Sequence, residues 1–217
     1  MIKVEQIGVW GFEHAIRGMR NPMNSWEKSD SKWQYIDDEA VDVQYVIGEN
    51  DMKLMKSLFR ASLVGDNHAH RKFLRQIMVS MDITAPLYWW KEFDTYKVGT
   101  VSNSCSTMHK IHSKRFEPID FSIEHLNHES MAVLNVILAG LNVARDRFLE
   151  TKSKDDWWQM IQLLPTSYNQ KRTVTMNYEV AYTICTQRLD HKLDEWREFC
   201  DILLKTIPYL QKIITSD

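Results

Sequence analysis

The sequence predicts an α+β fold in which several long helices pack around a small antiparallel or mixed sheet. Apolar residues recur at helical spacing over much of the chain, and two segments alternate apolar and polar side chains as half-buried strands do. The 217 residues include only seven Gly and five Pro, with no tract that indicates a linker. With 44% hydrophobic and 26% charged residues, the composition is that of a folded globular protein, and we expect one domain over residues 1–217.

Charge and cysteine content argue against several classes of protein. The net charge of −2 is unlike that of a general nucleic-acid binder, which is usually basic. The three cysteines are widely spaced and form no zinc or disulfide pattern, which is typical of the reducing cytoplasm. The N-terminus lacks the apolar core of a signal peptide, and the longest uncharged apolar stretch, residues 131–143, is too short to cross a bilayer. We therefore expect a cytoplasmic protein without nucleic-acid or membrane partners.

The first third of the chain predicts a strand, a loop and a helix. Residues 1–10 alternate apolar and polar side chains, which indicates a short strand. Residues 12–35 are rich in Asn, Ser, Asp, Lys and Trp, and this composition favours a loop. A helix follows, with Asn50 or Asp51 as its N-cap and Gly65 just after its last turn.

A second strand leads into a helix and then into a polar loop. Residues 73–83 predict a strand. The apolar face of this strand consists of Ile77, Val79, Met81 and Ile83. Pro86 stands in the first turn of the next helix, where its missing N–H is harmless, and Gly99 releases the chain into a polar loop over residues 100–110. A passage of this kind often builds a ligand site.

The remainder of the chain predicts three helices. Residues 122–150 carry apolar side chains at helical spacing and indicate one long helix. Asp155 can cap a shorter helix that Pro165 ends. The C-terminal helix is predicted over residues 177–204.

Histidine, cysteine and hydroxyl side chains near the chain centre leave several kinds of site open. His68 and His70 could form a metal pair, but no carboxylate or cysteine stands at matching spacing, so we expect no metal. Cys105 or a neighbouring Ser could act as a nucleophile with His109 as base, although adjacency in sequence is weak evidence for such a pair. The hydroxyls and amides of this loop can also donate to an anion, and a Ser-rich turn without function remains the simplest alternative.

Arg188 is a cation beside the apolar helix face of Tyr182 and Cys185. Such a side chain usually snorkels to solvent or pairs with a carboxylate, for which Asp190 or Asp194 could serve. A phosphate or a nucleobase is the alternative ligand, because a guanidinium binds both with fixed geometry.

Three stretches of the sequence form one ordered pattern that covers roughly residues 50–205. The first consists of DMKLMKSLFRASLVGDNHAH, RKFLRQIMVSMDITAP and LYWWKEFDTYK, the second is TYKVGTVSNSCSTMH, and the third is LLPTSYNQKRTVTMNYEVAYTICTQR. In order and spacing they resemble the flavin-dependent thymidylate synthase family. In that family a helix, a His-containing turn, a strand ending in Ala-Pro and a helix precede the signature motif, and a Leu-Pro opens the C-terminal part.

The signature motif itself departs from the family's pattern. The run from Thr95 to Lys97 replaces Arg-His-Arg, and Lys97 is the cation that remains there. Thr100 matches the family's first Ser, and Asn103 and Ser106 match its Asn and second Ser if one residue is inserted. Ser104 replaces the family's Glu.

In the third stretch, Asn177 and Arg188 match an Asn and a nucleotide-contacting Arg of the family, and His191 lies near a family His. Glu179 stands where the family tends to have Arg. Because the signature arginines are missing, a bound dUMP would need other cations. The candidates for this role are Arg20, Arg71, Lys110 and Arg172.

The resemblance implies an FAD-dependent thymidylate synthase, a methyltransferase of dTMP biosynthesis that converts dUMP to dTMP. Methylenetetrahydrofolate and NADPH would be the co-substrates, and a homotetramer would share its sites between subunits. Two alternatives remain open: one-carbon transfer to a different pyrimidine nucleotide, and a non-catalytic homologue that acts as an assembly or binding module.

The resemblance also implies a set of site residues. The catalytic residues would be Arg188, Lys97 and Ser106. The cofactor-binding residues would be His70, Tyr96, Lys97, Thr100, Asn103, Asn177, Thr183 and His191. The substrate-binding residues would be Glu92, Ser104, Cys105, Ser106 and Arg188.

Overall fold

The structure, a computed structural model, describes residues 2–35, 43–65 and 67–215. Its strands are β1 (Lys3–Trp10), β2 (Lys32–Tyr35), β3 (Val43–Val46), β4 (Met78–Pro86), β5 (Thr100–Ser104) and β6 (Asn169–Asn177). Its α-helices are α1 (Phe12–Arg20), α2 (Glu49–Ser62), α3 (Leu87–Phe93), α4 (Thr107–Lys110), α5 (His128–Thr151), α6 (Lys154–Leu163), α7 (Tyr178–Arg188), α8 (Asp194–Thr206) and α9 (Leu210–Ile214). One sheet has the strand order β1–β4–β6–β5, and β2 and β3 form an antiparallel pair with Lys32 opposite Val46. The predicted α+β class is confirmed.

The strands β1 and β4 follow the predicted alternation. In β4, Val79, Met81 and Ile83 are buried, as predicted, because every second side chain of a strand points to the same face, and Ile77, just before the strand, is buried with them. The strand begins at Met78 rather than at residue 73, since residues His68–Gln76 form a 3₁₀ segment. In β1, Gln6 has a left-handed backbone (φ 52°), which accommodates the break in alternation between Val4 and Ile7.

The predicted loop over residues 12–35 is wrong, because its first part is helix α1 and its last part is strand β2. The buried face of α1 consists of Phe12, Ala15, Ile16, Met19 and Arg20, a helical spacing that polar neighbours obscure in the sequence. Gly11 turns the chain from β1 into α1 with φ 96°. A Cβ there would lie 2.1 Å from the carbonyl oxygen of Gln76, so only glycine fits.

The helix α2 has the predicted extent but not the predicted cap. Its N-cap residue is Gly48, and the carboxylate of Asp30 accepts hydrogen bonds from the backbone N–H groups of Asn50 (2.9 Å) and Asp51 (3.2 Å). Asp51 is fully buried and forms an ion pair with Arg20 instead (2.6 Å). A carboxylate from outside the helix therefore satisfies donors that a side chain of the helix was expected to satisfy.

The segment predicted as a polar loop over residues 100–110 contains strand β5 and helix α4. A further strand, β6, was not predicted, since its first half is polar and hides the alternation. The predicted C-terminal helix over residues 177–204 is two helices, α7 and α8, which end and begin at residues 188 and 194. The side chain of Ser153, rather than that of Asp155, caps α6.

The long helix is shorter than predicted. It begins at His128 rather than near residue 122, and Asn127 caps it by accepting a hydrogen bond from the backbone N–H of Ser130 (2.8 Å). Its core-facing residues Leu134, Leu138 and Leu141 pack with Met160 of α6 in one apolar cluster.

The described chain divides into two compact units. Unit 1 comprises Met1–Glu5, Asp82–Lys97 and Ser102–Val174, and unit 2 comprises Gln6–Met81, Val98–Val101 and Thr175–Asp217. The apolar cluster of α5 and α6 belongs to unit 1. In unit 2, the aromatic rings of Phe59 and Tyr182 meet edge to face at 5.0 Å, and Trp196 and Phe199 are fully buried. The single domain over residues 1–217 stays a prediction.

Candidate functional site

Unit 1 contains a cavity of about 450 Å³ with an unusual number of lysines, here called the lysine cavity. Its lining residues are Lys3, Thr84, Cys105, Ser106, Thr107, Lys110, Ile111, Ser113, Lys114, Ile119, Asp120, Tyr168, Asn169, Gln170 and Lys171. Strands β1, β4 and β6, the short helix α4 and the chain around Asp120 supply these residues. Of the predicted site residues, Cys105 and Ser106 lie in its wall.

Backbone hydrogen bonds fix the part of the wall that contains Cys105 and Ser106. The N–H of Cys105 donates to the carbonyl oxygen of Lys171 (2.8 Å), and the side-chain amide of Gln170 donates to the carbonyl oxygen of Cys105 (2.9 Å). The hydroxyl of Ser106 accepts a hydrogen bond from the N–H of His109 (3.1 Å) and so caps α4. Cys105 itself is an exposed free cysteine.

Three of the four lysines of the cavity have carboxylate partners. Lys3 pairs with Glu5 (2.8 Å), Lys114 with Asp120, and Lys171 with Asp82 (3.0 Å). The hydrogen bond and charge of Asp82 raise the pKa of Lys171, which keeps this ammonium group protonated. The carboxylates therefore hold these lysines in place but also neutralise them.

Lys110 is the remaining lysine of the cavity. Within the described ranges its ammonium group has no ion-pair or hydrogen-bond partner, and its backbone N–H donates to the carbonyl oxygen of Ser106 (3.1 Å). Burial raises the pKa of Tyr168, and the nearby carboxylate of Asp120 raises it further, so this phenol stays a neutral donor. A cation without a counter-charge, beside hydroxyl and phenol donors, suits a small anion such as a phosphate group.

Five other predicted site residues of unit 1 lie outside the wall of the lysine cavity. Lys97 is exposed, and Tyr96 is half-buried with its ring 6.3 Å from that of Phe93. Glu92, in α3, is also half-buried, and its carbonyl oxygen accepts a hydrogen bond from the Thr95 hydroxyl (2.7 Å). The last two, on β5, are the exposed Asn103 and Ser104.

Unit 2 contains a second cavity, of about 570 Å³, here called the His70 cavity. Its lining residues are Gly18, Met19, Asn21, Pro22, Leu58, Ala69, His70, Lys72, Phe73 and Gln76. Apolar side chains predominate, and His70, Lys72 and Gln76 add polar groups at its edge. A largely apolar cavity with a few polar groups is typical of a site for an organic ligand.

The other predicted residues of unit 2 mostly serve its local structure. The side chain of Asn177 caps α7 by accepting from the N–H of Val180 (3.0 Å), and the hydroxyl of Thr183 donates to the carbonyl oxygen of Glu179 (2.8 Å). The Nδ1 atom of His191 accepts from the N–H of Leu193 (3.2 Å) just before α8.

Two predicted residues of unit 2 have features that suit a ligand contact. The guanidinium of Arg188 lies 4.9 Å from the ring centroid of Trp196, a cation–π distance that orients the side chain at the end of α7. The hydroxyl oxygen of Thr100 is buried and has no hydrogen-bond partner among the described residues. Such an atom usually indicates a missing partner, such as a water or a ligand.

Three of the four cations suggested as substitutes for the family's arginines are already bound to carboxylates. Arg20 is buried against Asp51, and Arg172 pairs with Asp94 (2.8 Å) while its guanidinium lies 4.2 Å from the ring centroid of Trp90. The fourth candidate, Lys110, is the lysine that the lysine cavity leaves uncompensated.

The third of these bound cations, Arg71, pairs with Glu179, the residue that stands where the resembled family tends to have Arg. The carboxylate of Glu179 accepts hydrogen bonds from the Nε atoms of Arg71 (3.1 Å) and Arg75. Partial burial raises the pKa of Glu179, but the hydrogen bonds and charges of Arg75 and Arg71 outweigh it and lower the pKa below its ordinary value. Glu179 therefore acts as the counter-charge of two arginines.

The residues that the sequence did not single out are Lys3, Lys114 and Lys171. Lys3 and Lys171 lie on strands that are far apart in sequence, and Lys114 follows helix α4, so no local spacing connects the three. The polar half of β6, with Gln170 and Lys171, was the one available signal.

No group of three or more His, Cys, Asp or Glu suited to a metal ion occurs within residues 2–35, 43–65 and 67–215. In the same ranges no helix has both the length and the apolar character needed to cross a bilayer.

Comparisons with known proteins give a match in structure but not in sequence. No protein-family model matches the chain, and no curated protein matches it either. Solved structures do match, among them a crystal structure of flavin-dependent thymidylate synthase ThyX from Helicobacter pylori complexed with FAD and dUMP. This structure has a TM-score of 0.66 and 16% sequence identity, and the match covers 98% of each chain.

A second crystal structure of ThyX from Helicobacter pylori with FAD and dUMP, at 2.31 Å resolution, gives the same TM-score of 0.66 and 16% identity. This match covers 98% of the present chain and 96% of the other. Both comparisons concern nearly the whole length, so they show that the chain has this fold.

Proposed function

We propose that this protein is a flavin-dependent thymidylate synthase, which binds FAD and methylates dUMP reductively to dTMP. The observation that carries the proposal is the likeness in fold over 98% of both chains to an enzyme complexed with FAD and dUMP. The ordered sequence resemblance, which ends in Asn177 and Arg188, supports it independently. Methylenetetrahydrofolate as one-carbon donor, NADPH as reductant and a homotetrameric assembly belong to the same proposal.

In this proposal the lysine cavity binds the phosphate of the nucleotide. Lys110 supplies the charge that the lost signature arginines would have supplied, and the Ser106 hydroxyl and the neutral phenol of Tyr168 donate hydrogen bonds. Lys3, Lys114 and Lys171 are each neutralised by a carboxylate partner, so the net positive charge of the wall is that of Lys110. Arg188, oriented by Trp196, is proposed as a further ligand of the nucleotide.

The residues of the His70 cavity fit a flavin ring system in chemical character. Met19, Leu58 and Phe73 offer apolar surface to the ring faces, while His70 and Gln76 can donate to ring carbonyl oxygens. When bound, FAD would supply the hydride chemistry, so the protein needs no nucleophile of its own. Its own residues would position the ligands and exclude water. The buried hydroxyl of Thr100 is proposed as a further cofactor donor.

Flavin binding is the first test. The purified protein is expected to be yellow, with a flavin absorption band at ~450 nm, or to acquire that band with added FAD. His70→Ala should weaken FAD binding, whereas His14→Ala, a substitution of an exposed histidine on α1, should not. A colourless protein that takes up no FAD would overturn the proposal as a whole.

The acceptor nucleotide is the second test. Addition of dUMP should perturb the spectrum of the bound flavin, and the gene should rescue a strain that requires thymidine. Lys110→Met should move the spectral change to roughly 10- to 100-fold higher dUMP concentrations while FAD remains bound. If FAD binds but dUMP gives neither effect, the dUMP assignment is wrong.

The pairing of Arg71 and Arg75 with Glu179 favours one alternative, a flavin enzyme that uses a different pyrimidine nucleotide. A site that has lost the family's arginines and neutralises two others would bind its nucleotide with fewer charged contacts. Titration of the flavin-bound protein with uridine, cytidine and deoxyuridine monophosphates would identify the acceptor. If FAD binds but none of these nucleotides changes the flavin spectrum, the remaining alternative is a non-catalytic homologue that acts as an assembly or binding module.

A further inference from the structure

Unit 2 contains another cavity, of about 380 Å³, here called the aromatic cavity. Its described lining contains no lysine or arginine, in contrast to the lysine cavity of unit 1. Neither the family resemblance nor the proposed function assigns a role to its walls. The aromatic and titratable side chains of these walls are Trp10, Phe12, Glu13, His14, Trp33 and Tyr45.

The strand pair β2–β3 supplies one aromatic wall. Trp33 lies opposite Tyr45, and Tyr35 lies opposite Val43, so these four side chains share one face of the pair. The rings of Trp33 and Tyr45 are 5.3 Å apart and tilted by 68°. Trp33 is 58% exposed, and Trp10, at the end of β1, is 50% exposed. Large aromatic side chains that stay exposed around one cavity indicate a binding surface rather than a core.

The floor of the aromatic cavity is held in place by the core of unit 2. Phe12 is buried, and its ring meets the rings of Tyr178 (5.7 Å) and Tyr209 (5.6 Å) edge to face. Because this ring is fixed before any ligand arrives, binding costs little ordering of the floor.

The carboxylate of Glu13 gives the aromatic cavity a negative charge. It accepts a hydrogen bond from the Nε1 atom of Trp33 (3.3 Å) and has no ion-pair partner within the described ranges. Glu13 stands in the first turn of α1, where its full charge outweighs the positive helix end of about half a charge. Burial raises the pKa of Tyr45, and the nearby carboxylates of Asp51 and Glu13 raise it further, as a negative potential does.

The two arginines of α1 do not neutralise this charge. Arg20 is bound to Asp51, and the guanidinium of Arg17 lies 5.7 Å from the ring centroid of Trp26, which is outside the lining of the aromatic cavity. Glu13 is therefore the uncompensated carboxylate of this region, as Lys110 is the uncompensated lysine of the lysine cavity.

We propose that the aromatic cavity binds a small quaternary ammonium ion. The faces of aromatic rings attract a cation through their quadrupole, and the single carboxylate of Glu13 balances a single positive charge. The methyl groups around a quaternary nitrogen donate no hydrogen bonds, so ring faces suit them better than oxygen acceptors do. A primary ammonium group has three donors to satisfy and a metal ion needs several oxygen ligands, and neither finds them in this wall.

Choline is the probe for the first test, with 3,3-dimethylbutan-1-ol, which has carbon in place of the charged nitrogen, as the neutral control. Isothermal titration of the wild-type protein should give a choline dissociation constant of ~1 mM or below. The neutral analogue should bind at least ~10-fold more weakly, because it lacks the charge that the rings and Glu13 attract. Absence of choline binding up to about 10 mM, or equal affinity for both compounds, would overturn the proposal.

Substitution of Glu13 locates the site and tests its charge. Glu13→Gln should weaken choline binding at least ~10-fold, while a glutamine oxygen can still accept the hydrogen bond of Trp33. Glu27→Gln, a substitution of an exposed carboxylate outside the aromatic cavity, is the matched control and should bind choline as the wild type does. Wild-type affinity in Glu13→Gln would show that choline binds elsewhere.

Substitution of Trp33 tests the aromatic wall. Trp33→Leu should weaken choline binding at least ~10-fold, whereas Trp33→Phe, which keeps a ring face, should retain most of the affinity. Trp158→Leu removes a tryptophan of α6 that is 40% exposed and should have no effect. If Trp33→Leu binds choline like the wild type, the rings do not form the site. These titrations are independent of the proposed function, which is read from the flavin spectrum.

Discussion

The cations of the two units are compensated to different degrees. In unit 2, Arg20 is bound to Asp51, and Arg71 and Arg75 share Glu179. In the lysine cavity of unit 1, four lysines meet the three carboxylates of Glu5, Asp82 and Asp120, and Lys110 lacks a partner within the described residues. A compensated cation stabilises the fold, whereas an uncompensated cation is available to a ligand. The number of arginines in a sequence is therefore a poor guide to anion binding.

The buried ion pair of unit 2 should show the largest effect. Asp51→Ala is expected to lower the free energy of unfolding by about 3–5 kcal/mol, because it leaves the buried guanidinium of Arg20 without a counter-charge. Chemical denaturation measures the change. As a control, Asp201→Ala removes an exposed pair with Lys205 and should cost no more than about 1 kcal/mol. Equal effects of the two substitutions would contradict the structural role of the Arg20–Asp51 pair.

Substitution of Lys110, the uncompensated lysine, should weaken ligand binding and leave the stability of the fold almost unchanged. Lys110→Met is expected to weaken dUMP binding by roughly 10- to 100-fold, as the loss of a charged hydrogen bond of about 1.5–3 kcal/mol implies. Its unfolding free energy should stay within about 0.5 kcal/mol of the wild type, since no ion pair is lost. Isothermal titration and denaturation measure the two quantities. Lys205→Met, which removes an exposed lysine of α8, is the matched control for a general loss of charge.

Substitution of Arg188, at the end of α7, tests whether this cation binds a ligand or stabilises the fold. Arg188→Ala should weaken nucleotide binding by about 10-fold while the fold persists, because its cation–π contact with Trp196 contributes only about 0.5–1 kcal/mol. Titration with dUMP and thermal unfolding separate the two roles. Collapse of the melting temperature with unchanged affinity would identify Arg188 as a structural residue.

Glu179 should show the smallest effect at neutral pH and a clear dependence on pH. Glu179→Gln is expected to lower the unfolding free energy by about 1 kcal/mol at pH 7, since Arg75 is largely solvent-exposed. The pKa of Glu179 is below its ordinary value of 4.5 in the folded state, so its stabilising effect is full above that pH. As the pH falls below 4.5, the carboxyl group takes up a proton and the difference between wild type and variant should shrink. A difference that stays constant down to pH 3 would show that the ion pairs do not stabilise the protein.

Regular periodicity made some elements predictable, and its interruption hid others. The alternation of Ile77 to Ile83 identified β4, and the apolar spacing of residues 122–150 identified most of α5. Helix α1 was missed although Phe12, Ala15, Ile16 and Met19 have helical spacing, because the polar composition of residues 12–35 was given more weight. Strand β6 was missed because Gln170 and Arg172 stand on the face that carries Val174 and Met176, where an alternating strand would have apolar residues.

The candidate site was only partly accessible from the sequence. The family resemblance identified Ser106 and Cys105, which lie together in the wall of the lysine cavity, and His70, which lines the cavity of unit 2. It gave no indication that Lys3 and Lys171 would join the first of these cavities. Their strands are neighbours of β4 in the sheet, and strand order is not encoded in local spacing.

The sequence by itself determined the α+β class, the buried face of β4 and the central part of the long helix, because these depend on periodic patterns within a few turns or strands. Only the tertiary structure decided which cations are compensated. Arg71 meets Glu179 from a position 108 residues away, and Arg20 meets Asp51 from a position 31 residues away. Coulomb interactions depend on distance in space rather than along the chain, so the fold alone decides that Arg71 binds Glu179 and that Lys110 remains available to a ligand.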